Sequence, residues 1–175
     1  MAATAPPAIE ILDRSPGVRL LFSRLRSTGA PRAWLLAAAL LVGGALLIAP
    51  WGDYPLNDDW QYARAAAIFA NTGHIEIDTP IAPSLVGQLL LAWPFIKAFG
   101  ASHLLLRLLT LAMATVLLWA ADVLLRLADV PYALRWKALA VLALNPLFAC
   151  LSLSFMTECY GYALAFLGAV AWLRS

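Results

Sequence analysis

"PSLVGQLLLAWPFIKAFG" (residues 83–100) is the stretch on which the architecture turns. It is apolar, yet it carries Gln88, Pro94 and Lys97 and is short for the ~30 Å of a hydrocarbon layer. Two readings are open: a kinked helix that crosses, or a re-entrant or juxtamembrane helix lying in the interface. One additional crossing would invert every segment that follows, so the choice fixes the sidedness of the whole chain.

The surrounding composition establishes that a membrane is the setting to consider. Of 175 residues, 63% are hydrophobic and 13% charged, with a mean hydropathy of +0.80. A soluble domain has about 45–50% apolar and about 25% charged residues. The net charge of +2 is too small to point to nucleic acid. Cys150 and Cys159 are the only cysteines and lack metal-type spacing, so they read as small packing residues. No internal repeat is present.

Apolar runs mark candidate spans at 33–50, 102–127, 137–155 and 159–173. The first, "AWLLAAALLVGGALLIAP", would make roughly 27 Å of helix. It reads as an uncleaved span, because a long segment precedes it and Pro50 disrupts any small-residue cleavage site. Residues 1–32 form a basic leader. There Val18, Leu21, Phe22 and Leu25 share a helical face, fitting a helix on an anionic surface, with a flexible basic tail as the equal alternative.

Charge bias separates the two readings of 83–100. Without a crossing, Arg14, Arg19, Arg24, Arg26, Arg32, Arg126, Arg135, Lys137 and Arg174 fall inside, leaving Arg64, Lys97 and Arg107 outside. With a crossing, the nine-to-three split becomes seven to five. The positive-inside rule favours the first arrangement, with four spans and a cytoplasmic N-terminus. Residues 51–101 then form an external loop with interfacial helices at about 58–72 and 84–99. In the first of these, Asn57 or Asp58 is the expected cap and Gly73 the expected stop. Asp58, Tyr62, Ala65 and Phe69 share a face.

The same arrangement puts Glu158 of "SFMTEC" on the side of Asp58 and Asp59. Adjacent carboxylates at an interface can bind a divalent cation, act as a general base or cap a helix. A helix N-terminus favours their ionised form. An acid beside a span is costly unless it meets water, a partner or a ligand, which singles out Glu158. Arg107, with His103 one turn before it, suits a lipid phosphate, an acid partner or simple snorkelling to the headgroups. Lys97 is a second candidate for an anionic headgroup. Asp122 and Arg126, at i and i+4, read as an ion pair. Asn145 and Pro146 are positioned to kink their helix.

The acidic pair and Tyr62 in "NDDWQYA", then "NTGHIEI", a Pro-led apolar stretch ending at Gly100, an Arg-bearing span and "NPLFACLSLSFMTE" follow one another in a familiar order. This layout resembles the N-terminal part of GT-C-fold membrane glycosyltransferases, nearest the protein O-mannosyltransferase and aminoarabinose transferase group. The resemblance covers most of residues 33–175. It implies an all-α polytopic helical bundle in a bacterial inner or plasma membrane, with juxtamembrane helices in the first external loop. It also implies transfer of a sugar from a polyprenyl-phosphate carrier to a glycan, lipid or protein acceptor outside the cytoplasm. Asp58 falls on the family's main acid, Asp59 on its neighbour and Glu158 on the second-loop acid, where Asp is more usual.

The expectation is therefore an inverting transferase. Asp58 is the base, and Asp59 and Glu158 are further catalytic acids. All three are possible ligands of Mg or Mn. Tyr62, Lys97, His103 and Arg107 contact the substrate. The family's members are much longer, so the chain is expected to be an incomplete front portion. Two other classes remain: a transporter or flippase segment whose acids bind protons or cations, and a non-catalytic scaffold.

Overall fold

A computed structural model describes residues 32–48, 51–76 and 85–175. The leader before residue 32, the end of the first apolar run and the start of the 83–100 stretch lie outside the described residues. Seven α-helices and no strand occur among the described residues: α1 (Ala33–Ile48), α2 (Asp59–Thr72), α3 (Val86–Phe99), α4 (His103–Leu127), α5 (Tyr132–Leu144), α6 (Pro146–Ser152) and α7 (Thr157–Arg174).

α4 is the axis of the assembly. At 25 residues it is roughly 37 Å long, and it starts from a Ser102 cap whose hydroxyl accepts the Leu105 N–H at 3.1 Å. α7 runs parallel to it: Tyr160 lies against Thr110 near the start of both helices, and Val170 packs with Ala120 and Val123 farther along. α1 lies against α4 and α5. It buries Ala33, Ala37, Leu41 and Ala45 at four-residue steps, and three alanines on that ridge let the backbones approach closely. α2 and α3 pack on each other and on the first half of α4.

The opening stretch appears as α3, whose 14 residues make about 21 Å of helix, too short for the ~30 Å hydrocarbon layer. Pro94 sits inside it without ending it, and Gly100 at φ +83° closes it by donating to the Ile96 carbonyl. Gln88 is 1% exposed, and its Nε2 donates to the carbonyl of Phe155 at 3.2 Å. The polar residue that complicated this stretch therefore ties α3 to the turn before α7.

The run at 137–155 differs from the continuous span expected. α5 starts earlier, at Tyr132, and stops at Leu144; α6 leaves at 68° to it. Asn145 sits before a proline, a position pushed to extended backbone, at φ −63°, ψ 122°. Its side chain accepts the N–H groups of Leu147 and Phe148, and Pro146 opens the new helix. Cap and N1 proline together turn the anticipated kink into a break.

Among the described residues, α4 is the single helix long and apolar enough to cross a membrane, and α5 with α6 meets the same test as a bent pair. α1 and α3 are apolar but shorter.

Candidate functional site

The acids expected to share a site sit at the end of the bundle where α4 and α7 begin. Asp58 occupies the cap position of α2 but makes no capping bond, contrary to the role expected for it or Asn57. Its neighbour does the local structural work. Asp59 is 2% exposed, and its Oδ1 accepts the N–H groups of Leu56 at 3.1 Å and Asn57 at 3.4 Å. A carboxylate turned back on its own loop fixes the entry into α2 and leaves Asp58 exposed beside it. The stop at Gly73 matches expectation, with φ +74° and an N–H to the Phe69 carbonyl.

Glu158 lies in the first turn of α7, partly buried, and its Oε2 is shielded from solvent without a hydrogen-bond partner. The loop that bears Asp58 reaches this turn directly: Asn57 Nδ2 lies 3.7 Å from Met156 Sδ, two residues before Glu158. Tyr62 is buried in the same cluster as Leu106, Phe155 and Tyr160.

Arg107 holds the two segments together. It is 1% exposed, the largest fully buried side chain among the described residues. Nε donates to the Leu153 carbonyl at 3.1 Å, Nη1 to Gly52 at 3.1 Å and Nη2 to Tyr54 at 2.7 Å. The guanidinium also stands 5.3 Å from the Tyr54 ring centroid. Expected as a substrate-binding cation, it donates to carbonyls of the first loop and of the turn after α6. A planar fork with five donors suits this task, and lysine does not.

Lys97 is exposed in the last turn of α3. His103 opens α4, and its backbone N–H donates to Asp53 Oδ1 at 2.6 Å. His103 lines an open cavity of about 450 Å³ with Asp53, Trp60, Arg64 and Ser102. Trp60, Ala63, Arg64 and Ala67 of α2 line it together with Leu106, and Ala63 and Leu106 also pack in the cluster around Tyr62. Asp53, Trp60 and Arg64 were not singled out in the sequence. Asp53 acts on a residue fifty positions away, and no local spacing signals that.

Among the described residues no group of three or more His, Cys, Asp or Glu side chains is gathered tightly enough to hold a metal ion. Asp59 Oδ1 accepts backbone amides of its own loop.

The other end of α4 carries the opposite charge. Asp122, fully buried, takes Arg126 on one carboxylate oxygen, as expected, and Arg135 on the other at 2.9 Å. Arg135 comes from α5, and its position thirteen residues away gave no sequence signal.

No protein family, curated protein or solved structure matches the chain.

Proposed function

We propose that the chain supplies the acidic outer face of a membrane glycosyltransferase that takes a sugar from a polyprenyl-phosphate carrier. The observation that carries this reading is the Asn57–Met156 contact, which joins two acidic segments ninety-nine residues apart. Asp58, exposed and free of capping duty, takes the proton of an acceptor hydroxyl. The acceptor oxygen attacks the anomeric carbon, the bond to the carrier oxygen breaks, and polyprenyl phosphate leaves from the opposite face with inversion. Glu158, with one carboxylate oxygen unpartnered, orients the acceptor. Lys97 offers a positive charge to the departing phosphate, and Arg107 acts as a positioning residue for both loops.

The membrane setting is part of the proposal. It is supported by the apolar length of α4 and by exposed leucines and valine along α1, including Leu36, Leu40, Val42, Leu46 and Leu47. Trp51 and Tyr54 are exposed near the acidic end, while Trp136 and Trp172 are exposed at the end of Arg135 and Arg174. This distribution of aromatic and basic residues is the one a bilayer-spanning bundle with external acids would carry, and it supports the reading.

The test is transfer from radiolabelled polyprenyl-phosphate sugars by the wild-type chain and Asp58→Asn in membranes. Abolished transfer with undiminished carrier binding is expected. Product with retained anomeric configuration would sink the mechanism, and ion-coupled flux without any glycosyl product would favour a transporter.

A further inference from the structure

The open cavity between α2 and the start of α4 has a volume of about 450 Å³, within the usual range for a small-molecule site, ~300–1,000 Å³. Among the described residues its lining comes from α2, the start of α4 and the loops before them, and none of it from α3. Ala63 and Leu106 also pack around Tyr62, so the cavity adjoins the proposed site. Three of its side chains have unused capacity. Trp60, two residues after Asp58, is 46% exposed. Asp53 is exposed; its Oδ1 accepts the His103 N–H, which fixes the carboxylate, while Oδ2 has no partner among the described residues. Ser102 Oγ accepts from Leu105 and keeps its own proton to donate.

These groups set the chemistry of the ligand. A carboxylate only accepts, so whatever meets Asp53 Oδ2 must donate; Ser102 offers a donor, so the same ligand must also accept. A hydroxyl does both. Asp53 is held at the N–H of the residue next to Ser102, so neighbouring hydroxyls on one ligand serve the two side chains together. The open indole of Trp60 favours a flat apolar surface, which a pyranose ring presents through its C–H bonds. A neutral ring needs no uncompensated charge at the wall, so the fit is the same whatever Arg64 pairs with.

We infer that this cavity binds a neutral sugar ring, stacked on Trp60 and held through neighbouring hydroxyls by Asp53 and Ser102. That much stands on the cavity alone. Its place in the chemistry rests on the transferase reading above: the bound sugar is the acceptor, and the acceptor is a glycan. Lys97, assigned to the carrier phosphate, belongs to α3, which contributes nothing to the described lining, whereas Trp60 sits in the first turn of α2, directly after the acid that takes the acceptor proton.

The full chain would be solubilised in a phosphocholine detergent, because maltosides and glucosides bring sugars of their own. Saturation-transfer NMR then reads binding of the methyl pyranosides of glucose, galactose, mannose and N-acetylglucosamine at millimolar concentration, with erythritol as a polyol that has no ring. Saturation of the ring C–H protons is expected for at least one pyranoside and not for erythritol. Trp60→Ala, at an exposed position, should raise Kd about five-fold, and Trp60→Phe should restore most of the affinity. Asp53→Asn keeps an acceptor for the His103 N–H and should raise Kd about five-fold or more. The pyranoside that binds is then offered as acceptor with radiolabelled polyprenyl-phosphate sugars.

No saturation of any pyranoside would overturn the inference. So would binding left unchanged by both Trp60→Ala and Asp53→Asn, or erythritol saturated as strongly as the rings. Pyranoside binding that follows the variants, without glycosyl product on the bound sugar, would uphold the sugar site and defeat its assignment to the acceptor. Product formed on a protein or lipid acceptor, with no pyranoside bound, would leave the transferase reading standing and overturn the sugar site.

Discussion

Arg107 and Leu153, forty-six residues apart, are joined by a 3.1 Å hydrogen bond from Nε to the carbonyl oxygen, deep inside the protein. The same guanidinium holds Gly52 and Tyr54, so one side chain sets the spacing between the loop before the acidic pair and the turn before Glu158. Charged hydrogen bonds contribute about 1.5–3 kcal/mol each, and losing this donor strands three carbonyls. Arg107→Ala should therefore destabilise by about 3 kcal/mol or more in thermal unfolding in detergent. Arg107→Lys should recover only part, because a point charge cannot serve three divergent acceptors. An unfolding temperature unchanged by either substitution would remove Arg107 from this role.

The acidic pair divides structure from chemistry. Asp59→Asn weakens the carboxylate bonds to the Leu56 and Asn57 amides and should cost about 1–2 kcal/mol. Asp58→Asn, at an exposed side chain without a capping bond, should stay within about 0.5 kcal/mol. Equal losses for the two variants in chemical denaturation would contradict the division.

At the opposite end of α4, Asp122 is fully buried between two arginines. Removing its carboxylate deprives Arg135, itself 8% exposed, of its ion-pair partner. Asp122→Ala should cost about 3–5 kcal/mol. Arg126 has a side chain 42% exposed, and Arg126→Ala should cost no more than about 1 kcal/mol. Arg135→Ala should exceed Arg126→Ala in the same unfolding assay; the reverse order would show that exposure does not govern this cluster.

Asn145 supplies the acceptor for two amides at the start of α6. Asn145→Ala should cost about 1 kcal/mol, while Asn145→Asp, which retains the acceptor, should cost less. Equal losses would assign the 68° break to Pro146 alone.

Gly43 and Gly44 lie within α1, and a Cβ at either meets nothing within 4 Å. Alanine at each should stabilise the helix by about 0.5–1 kcal/mol. At Gly73 and Gly100 the space is equally open, but φ is +74° and +83°, and alanine should destabilise there. The signs are read from the same melting curves.

The sequence by itself determined the helical class, the long apolar helix at 102–127 and the α2 stop at Gly73. It also determined the Asp122–Arg126 pair, because each depends on neighbours within a few turns. Apolar runs, a glycine suited to positive φ and an i, i+4 pair carry their meaning locally. Tertiary structure decided what each polar side chain does. Arg107 reads equally well as a phosphate ligand or a snorkelling cation until the carbonyls of Gly52, Tyr54 and Leu153 surround it. Asp58 and Asp59 are adjacent carboxylates whose burial no local pattern foretells, yet the entry into α2 buries one and exposes the other. Arg135, Gln88 and Asp53 find partners 13, 67 and 50 residues away. The partner of a buried polar group is chosen by how the helices pack, and helix packing is a property of the whole bundle.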